Sequence, residues 1–257
     1  MTGPGLLYLA LAGYIAAGVA AGIARGRHRL GRMSGASTVA SAVGLCLHLA
    51  FMLARTLSMG FLPFASRFES MALFALAVQT TGLVVYLATR QHSAKLGTDA
   101  ASAVLLLGAL MPFGFHPGGG LNPILNSPWS AFHIAVAFGG YGCFTAGFTW
   151  SVAHLFDRTL DLNPVVPRRL ALAGLLLLGA GILTGAMWAD SSWGTYWGWD
   201  PKESWALLTW TVMMLYVHLA GRRPSRYFNG ICYGLAFAVM MFTFIGINLL
   251  KWGLHRY

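Results

Sequence analysis

Two kinds of residue in this chain could do chemistry together. The first is a run of aromatic residues, Trp193-Gly-Thr-Tyr-Trp-Gly-Trp-Asp-Pro-Lys-Glu-Ser-Trp205, and five of the nine tryptophans fall between Trp188 and Trp205. Trp193, Tyr196, Trp197, Trp199 and Trp205 offer flat apolar faces. Glycines between them allow close approach, and Asp190, Asp200, Lys202 and Glu203 are nearly the only charges nearby. The second kind is histidine placed in apolar surroundings: His133 before the aromatic run, His218 and His255 after it, and His48 far upstream. Imidazole is an axial ligand of haem iron. An aromatic surface flanked by histidines therefore suits a large flat apolar ligand carrying a metal, and haem is the expectation.

Composition says what must position these groups. Hydrophobic residues make up 57% of the 257 residues and charged residues only 9%, with a mean hydropathy of +0.64. Soluble domains carry about 25% charged residues. So few charges cannot cover a water-facing surface, and the chain reads as an integral membrane protein. Such a protein satisfies its backbone with helices. A span needs about 20 apolar residues. Candidate spans lie at about 5–24, 38–57, 69–89, 97–113, 129–154, 170–189, 205–220 and 229–250. The expected fold is all-α, a bundle of about eight spans forming one domain over 1–257. The fourth span is the weakest, because it is short and begins near Asp99. The first is not a signal peptide, since its basic residues follow the apolar run.

Charge orients the bundle. Lys and Arg collect on the cytoplasmic side. Arg25, Arg27, Arg29 and Arg32 follow span one, and Arg90 and Lys95 follow span three. Arg158, Arg168 and Arg169 follow span five, and Arg222, Arg223 and Arg226 follow span seven. Both termini and the aromatic loop, about 190–204, are then expected on the outer face. The formal charge of +10 is largely this asymmetry and requires no nucleic acid. Cys46, Cys143 and Cys232 form no C-x-x-C pair, which argues against thiol redox chemistry and against covalent haem attachment to this chain.

Each chemical reading has a plainer rival. Aromatic belts flank both membrane interfaces. Here Trp129, Trp188, Trp193, Trp197, Trp199, Trp205 and Trp252 gather at the outer face, and that asymmetry favours a ligand platform. His133 and His255 lie at the level of the loop and make a bis-histidine pair. His218 and His154 end spans near the inner face, and His48 sits in mid-span. Any of these three could serve a second haem or be simply hydrogen-bonded. Arg67 could meet a haem propionate, since Arg suits carboxylates, or pair with Glu69 at a helix start. Asp200, Pro201 and Glu203 form a capping-box pattern opening span seven. Capping is the preferred role for both acids.

These residues resemble a known family. Trp193-Gly-Thr-Tyr-Trp-Gly-Trp-Asp-Pro-Lys-Glu-Ser-Trp-Ala-Leu-Leu-Thr-Trp210 is similar to the WWD signature of haem-handling proteins, and most like that of the CcsA (ResC) proteins of System II cytochrome c maturation. Phe64-Ala-Ser-Arg-Phe-Glu-Ser70, Ser127-Pro-Trp-Ser-Ala-Phe-His133, Tyr216-Val-His218 and Gly253-Leu-His255-Arg-Tyr257 resemble further family segments in the same order. Asp190 and Ser204 depart from the pattern, standing where Asn and Thr are expected.

The resemblance implies cytochrome c maturation. Such proteins work with a CcsB (ResB) membrane partner, move haem b to the outer face and present it to the C-x-x-C-H motifs of apocytochrome c. They act as a component of a cytochrome c synthase complex, in a bacterial inner or thylakoid-like membrane. By the same resemblance His133 and His255 are the outer iron ligands and His218 is a ligand of a second, transmembrane haem. The partner supplies the other ligand in the family, and His48 is the candidate for it within this chain. Three rival functions stay open: CcmC-like delivery of haem to a chaperone, a haem-free transporter or quinone-binding subunit, and a purely structural subunit that scaffolds a synthase.

Overall fold

The computed structural model describes residues 4–26, 30–111, 123–156, 165–220 and 225–250. The described residues are almost entirely helical, and they fall into two compact units, Met1–Leu121 and Asn122–Tyr257.

The first unit holds α1 (Gly5–Gly26), α2 (Leu30–Met59), α3 (Arg67–Thr89) and α4 (His92–Leu110). α1 packs on α2 and α4, and α3 packs on α4. The α1–α2 contact is close because two glycines meet there. A Cβ on Gly13 would lie 2.9 Å from the Cα of Gly44. Without a hydrophobic drive between helices in lipid, such small residues let backbones approach and gain dispersion contacts.

α3 starts with a complete capping box. Ser66 accepts from the Glu69 N–H, and the Glu69 side chain accepts from the Ser66 N–H. The same carboxylate pairs with Arg55 of α2, whose Nη2 lies 2.6 Å from Glu69 Oε1 and whose guanidinium rests 5.6 Å from the centre of the Phe68 ring. The ion pair of Glu69 is therefore with Arg55 rather than Arg67.

The second unit holds α5 (Pro128–Phe156), α6 (Val165–Trp193), α7 (Pro201–Ala220) and α8 (Arg226–Met241). α8 continues through a π-helical turn, Phe242–Gly246, into a last α-turn, Ile247–Leu250. α5 packs along α6 and against α8, and α7 packs on α6 and α8.

Among the described residues, six stretches are long and apolar enough to cross a membrane: Gly5–Ile23, Gly35–Met59, Arg67–Thr89, Pro128–Phe156, Val165–Trp193 and Arg226–Leu250. The protein is a multi-pass membrane protein. α4 and α7 fall outside that group. α4 carries Lys95 and Asp99, and α7 opens on Lys202 and Glu203.

The charges of α4 are not in a loop, where sequence reading places Lys95. Lys95 is 1% exposed, and its Nζ lies 2.7 Å from Asp99 Oδ2 one helical turn later. Lys95 also donates to the carbonyl and hydroxyl oxygens of Ser37. Asp99 accepts from Ser41 and, at 2.7 Å, from Gln79. A buried charge is tolerable only when paired and hydrogen-bonded, and the helices of this unit supply both. The basic bias of the connection after α3 therefore rests on Arg90, which is exposed at the C-cap of that helix.

Candidate functional site

His133 lies in the second turn of α5 and its ring lies against α6. Its Nδ1 is 2.6 Å from the carbonyl oxygen of Gly181. A carbonyl oxygen only accepts, so Nδ1 carries the proton and the ring lone pair sits on Nε2. Metal-ligating histidines are oriented in this way by a partner on their other nitrogen. Gly185, one turn after Gly181, leaves the ring its space. A Cβ there would stand 2.8 Å from both Cε1 and Nδ1 of His133.

Trp188 extends this packing toward the loop. Its ring stacks with His133, centroids 6.1 Å apart and planes 15° apart. Its Nε1–H donates to the Ile124 carbonyl at 2.9 Å, and its edge meets Trp193 with centroids 5.0 Å apart. Trp188 is 2% exposed. It is an internal strut linking His133 to the start of the loop.

The loop from Gly194 to Asp200 is held by its ends. Gly194 adopts φ 74°, a left-handed conformation that glycine takes without strain. At the other end the Asp200 carboxylate accepts from the Lys202 N–H at 2.9 Å. Glu203 reaches back to the N–H groups of Gly198 and Asp200, at 2.9 and 3.1 Å. Capping is thus the structural role of Asp200 and Glu203. Lys202, partly buried beside them, has its ammonium pKa pulled down to about 8 by desolvation, against the opposing attraction of Asp200.

The middle of the loop faces outward. Tyr196 is 62% exposed and Trp199 71% exposed. Trp197 packs edge-on against Trp199, centroids 5.7 Å apart and planes perpendicular. Trp199 holds φ 55°, in a region that costs an L-residue about 1–2 kcal/mol. An exposed Trp held in a strained conformation points to a binding role. Trp205 differs. It sits in the second turn of α7 against Phe242, centroids 4.3 Å apart, and its carbonyl accepts from Thr243. It seats α7 on the π-helical turn.

Of the remaining described candidates, His218 shares this unit. His218 is exposed in the last turn of α7, thirteen residues beyond Trp205, which is about 20 Å along a helix. Its Nδ1 lies 2.9 Å from the Met214 carbonyl, so its lone pair is also on Nε2. His48 belongs to the first unit, wholly buried, with Nδ1 3.1 Å from the Tyr14 hydroxyl. Arg67 also belongs to the first unit and is exposed at the start of α3. His255, together with Trp252 and His116, lies outside the described residues.

Sequence reasoning missed Trp188 as the strut, and Gly181 and Gly185 as the cradle of His133. The signal was the Gly181-x-x-x-Gly185 spacing, which makes one face of α6 flat where a neighbouring helix must approach.

Comparison with known proteins gives a consistent result. Residues 30–255 match the family model described as cytochrome C assembly protein. The cytochrome c biogenesis protein CcsA of Arabidopsis thaliana is 27% identical, aligned over 80% of this chain and 81% of its own length. CcsA of Synechococcus elongatus is 30% identical over 79% and 81%, and that of Chlamydomonas reinhardtii 33% identical over 63% and 51%. Among solved structures, the cytochrome c haem lyase CcmF superposes with a TM-score of 0.71 at 20% identity, over 95% of this chain and 46% of its own. That likeness shows a shared fold.

Proposed function

The chain belongs to the cytochrome c assembly family as a CcsA-type cytochrome c biogenesis protein, and from that premise we propose that it holds haem b at the outer membrane face and presents it to apocytochrome c. The single observation that carries this reading is the His133–Gly181 contact. The imidazole is fixed by the 2.6 Å bond from Nδ1 and stacked on Trp188, and in this reading its Nε2 lone pair takes the iron. The described half of the site fits haem: one oriented imidazole, then exposed aromatic planes at Tyr196 and Trp199. His255 is the proposed second outer ligand.

In this reading the topology has eight spans, with both termini and the aromatic loop outside, in a bacterial inner or thylakoid-like membrane. A CcsB/ResB-like subunit is the proposed partner. His218, on the far end of α7, is the proposed ligand of a second, transmembrane haem. His48, wholly buried beside Tyr14, stays a candidate iron ligand in this reading.

Haem, as the substrate, brings the vinyl groups that the cytochrome thiols join. The chain's own contribution is position. His133 orients the plane, Trp188 and Trp193 back it, and Asp200 and Glu203 hold the loop against the start of α7. Correct placement of reacting groups is worth several kcal/mol of barrier. No acid or base is required of these residues.

The test is the absorption spectrum of the detergent-purified protein, wild type beside His133→Gly, with and without imidazole. The expected result is a sharp low-spin b-type spectrum that the variant loses and imidazole restores. A variant retaining the wild-type spectrum would overturn the assignment.

A further inference from the structure

The second unit has another built site at its opposite end. Trp150 follows His133 by seventeen residues on α5, roughly 25 Å along the helix. Beside it a small cleft of about 30 Å³, open to solvent, lies between the ends of α5, α6, α7 and α8. Its lining includes Trp150, His154, Tyr216, Arg226 and Asn229. Three polar atoms on this lining are buried without a hydrogen-bond partner: Trp150 Nε1, His154 Nδ1 and Asn229 Oδ1. Trp150 is 1% exposed, so its N–H is withdrawn from bulk solvent. Buried polar groups normally find partners, and an unsatisfied group calls for a ligand or water.

Two arginine side chains lie at this end of the unit. Arg226 lies at its edge, its guanidinium resting 4.9 Å from the centre of the Tyr227 ring. Arg168 reaches the Val217 carbonyl at the end of α7. The cleft also meets the N-terminus of α8, a helix of sixteen residues whose cap, Ser225, makes no side-chain hydrogen bond to the first turn. Helix N-termini favour anions.

We propose that this cleft seats the headgroup of a membrane glycerophospholipid. The phosphate takes the Trp150 N–H and the charge of Arg226. A hydroxyl or ammonium donor on the headgroup satisfies Asn229 Oδ1. The acyl chains run along the exposed apolar helix faces. Basic pockets between spanning helices on the cytoplasmic side bind anionic headgroups in this manner. A phosphate with a donor three or four atoms away matches the lining better than a phosphate alone, because the orphaned atoms include both a donor and an acceptor. The site owes nothing to the haem reading, and either can fail without the other.

Native mass spectrometry of the whole protein in detergent tests it. Phosphatidylglycerol and phosphatidylethanolamine, which carry headgroup donors, are compared with phosphatidylcholine, which does not. At least one of the first two should be retained five-fold or more over phosphatidylcholine. Asn229→Leu, which removes the acceptor for the headgroup donor, should abolish that preference, and Trp150→Phe, which keeps the ring and removes the N–H that meets the phosphate, should lower the retention of all three lipids. If Trp150→Phe fails to fold, Arg226→Gln at the mouth of the cleft carries the same expectation. Equal retention of phosphatidylcholine would overturn the proposal, as would an unchanged preference in Asn229→Leu or unchanged lipid retention in the Trp150 or Arg226 variant. Displacement of the lipid by millimolar glycerol 3-phosphate would overturn the lipid as occupant, leaving a site for a free phosphate.

Discussion

The Nδ1 of His133 and the carbonyl oxygen of Gly181 lie 2.6 Å apart, between two helices whose contact is made close by glycine. That bond sets the tautomer and the plane of the ring at once. A Cβ on Gly185 would enter the same space, at 2.8 Å from the imidazole.

Gly185→Ala therefore separates the site from the fold. Alanine favours a helix interior over glycine by about 1 kcal/mol, so helix formation gains while the His133 ring is pushed aside. Haem retention should fall by about 10-fold or more, the scale seen when groups orienting a metal ligand are changed. The haem-to-protein absorbance ratio of the purified variant, beside its melting temperature, checks this. An unchanged ratio would detach Gly185 from the site.

Asp200 should behave as a cap. Asp200→Asn keeps an acceptor for the Lys202 N–H and should preserve stability, whereas Asp200→Ala should cost about 1 kcal/mol. Thermal melting of the two variants decides between them. A loss of cytochrome maturation in Asp200→Asn at unchanged melting temperature would mean that the charge itself is used.

Trp199 and Trp205 should part company. Trp199→Leu changes an exposed side chain and should shift stability by no more than about 0.5 kcal/mol, while lowering the yield of a co-expressed cytochrome c reporter. Trp205→Leu removes the contact with Phe242 and should lower the melting temperature as well. Equal effects of the two on stability would contradict the assignment of separate roles.

The buried ion pair gives an asymmetric prediction. Lys95→Met alone strands the Asp99 carboxylate among Ser41 and Gln79, and should cost about 3–5 kcal/mol. Lys95→Met combined with Asp99→Leu should cost distinctly less, because no buried charge remains. Chemical denaturation in mild detergent compares the two. A double variant as damaged as the single one would point to a role for the pair beyond mutual neutralisation.

Lys202 supplies a pH dependence. Desolvation lowers its pKa from 10.5 to about 8 in the folded chain. Between those values the unfolded state holds a proton that the native state lacks, so stability rises with pH across that window. Below about pH 8 both states are protonated and the cost of the half-buried charge is fully present. The slope of melting temperature against pH from 8 to 10 should be positive, and Lys202→Met should flatten it. A slope of the same size in that variant would assign it elsewhere.

What the sequence determined by itself was the class of protein and the family. Nine per cent charged residues cannot solvate a surface, and apolar stretches of span length follow directly from composition. The family match over residues 30–255 agrees with the signature read from Trp193 to Trp210. The cap at Asp200 and Glu203 was also legible, because capping joins residues two to five apart in the chain.

Only the tertiary structure decided the rest, because it depends on contacts between distant segments. Glu69 meets Arg55 rather than Arg67, since α2 returns beside the start of α3. Lys95 is an internal residue because Ser37 and Asp99 surround its ammonium, although its position in the sequence reads as a loop. Trp188, one tryptophan among five in a dense run, is the buried strut, whereas Trp199 is the exposed plate. Residue type is the same in both. Burial is set by which helix lies opposite, and that is a property of packing that no local pattern carries.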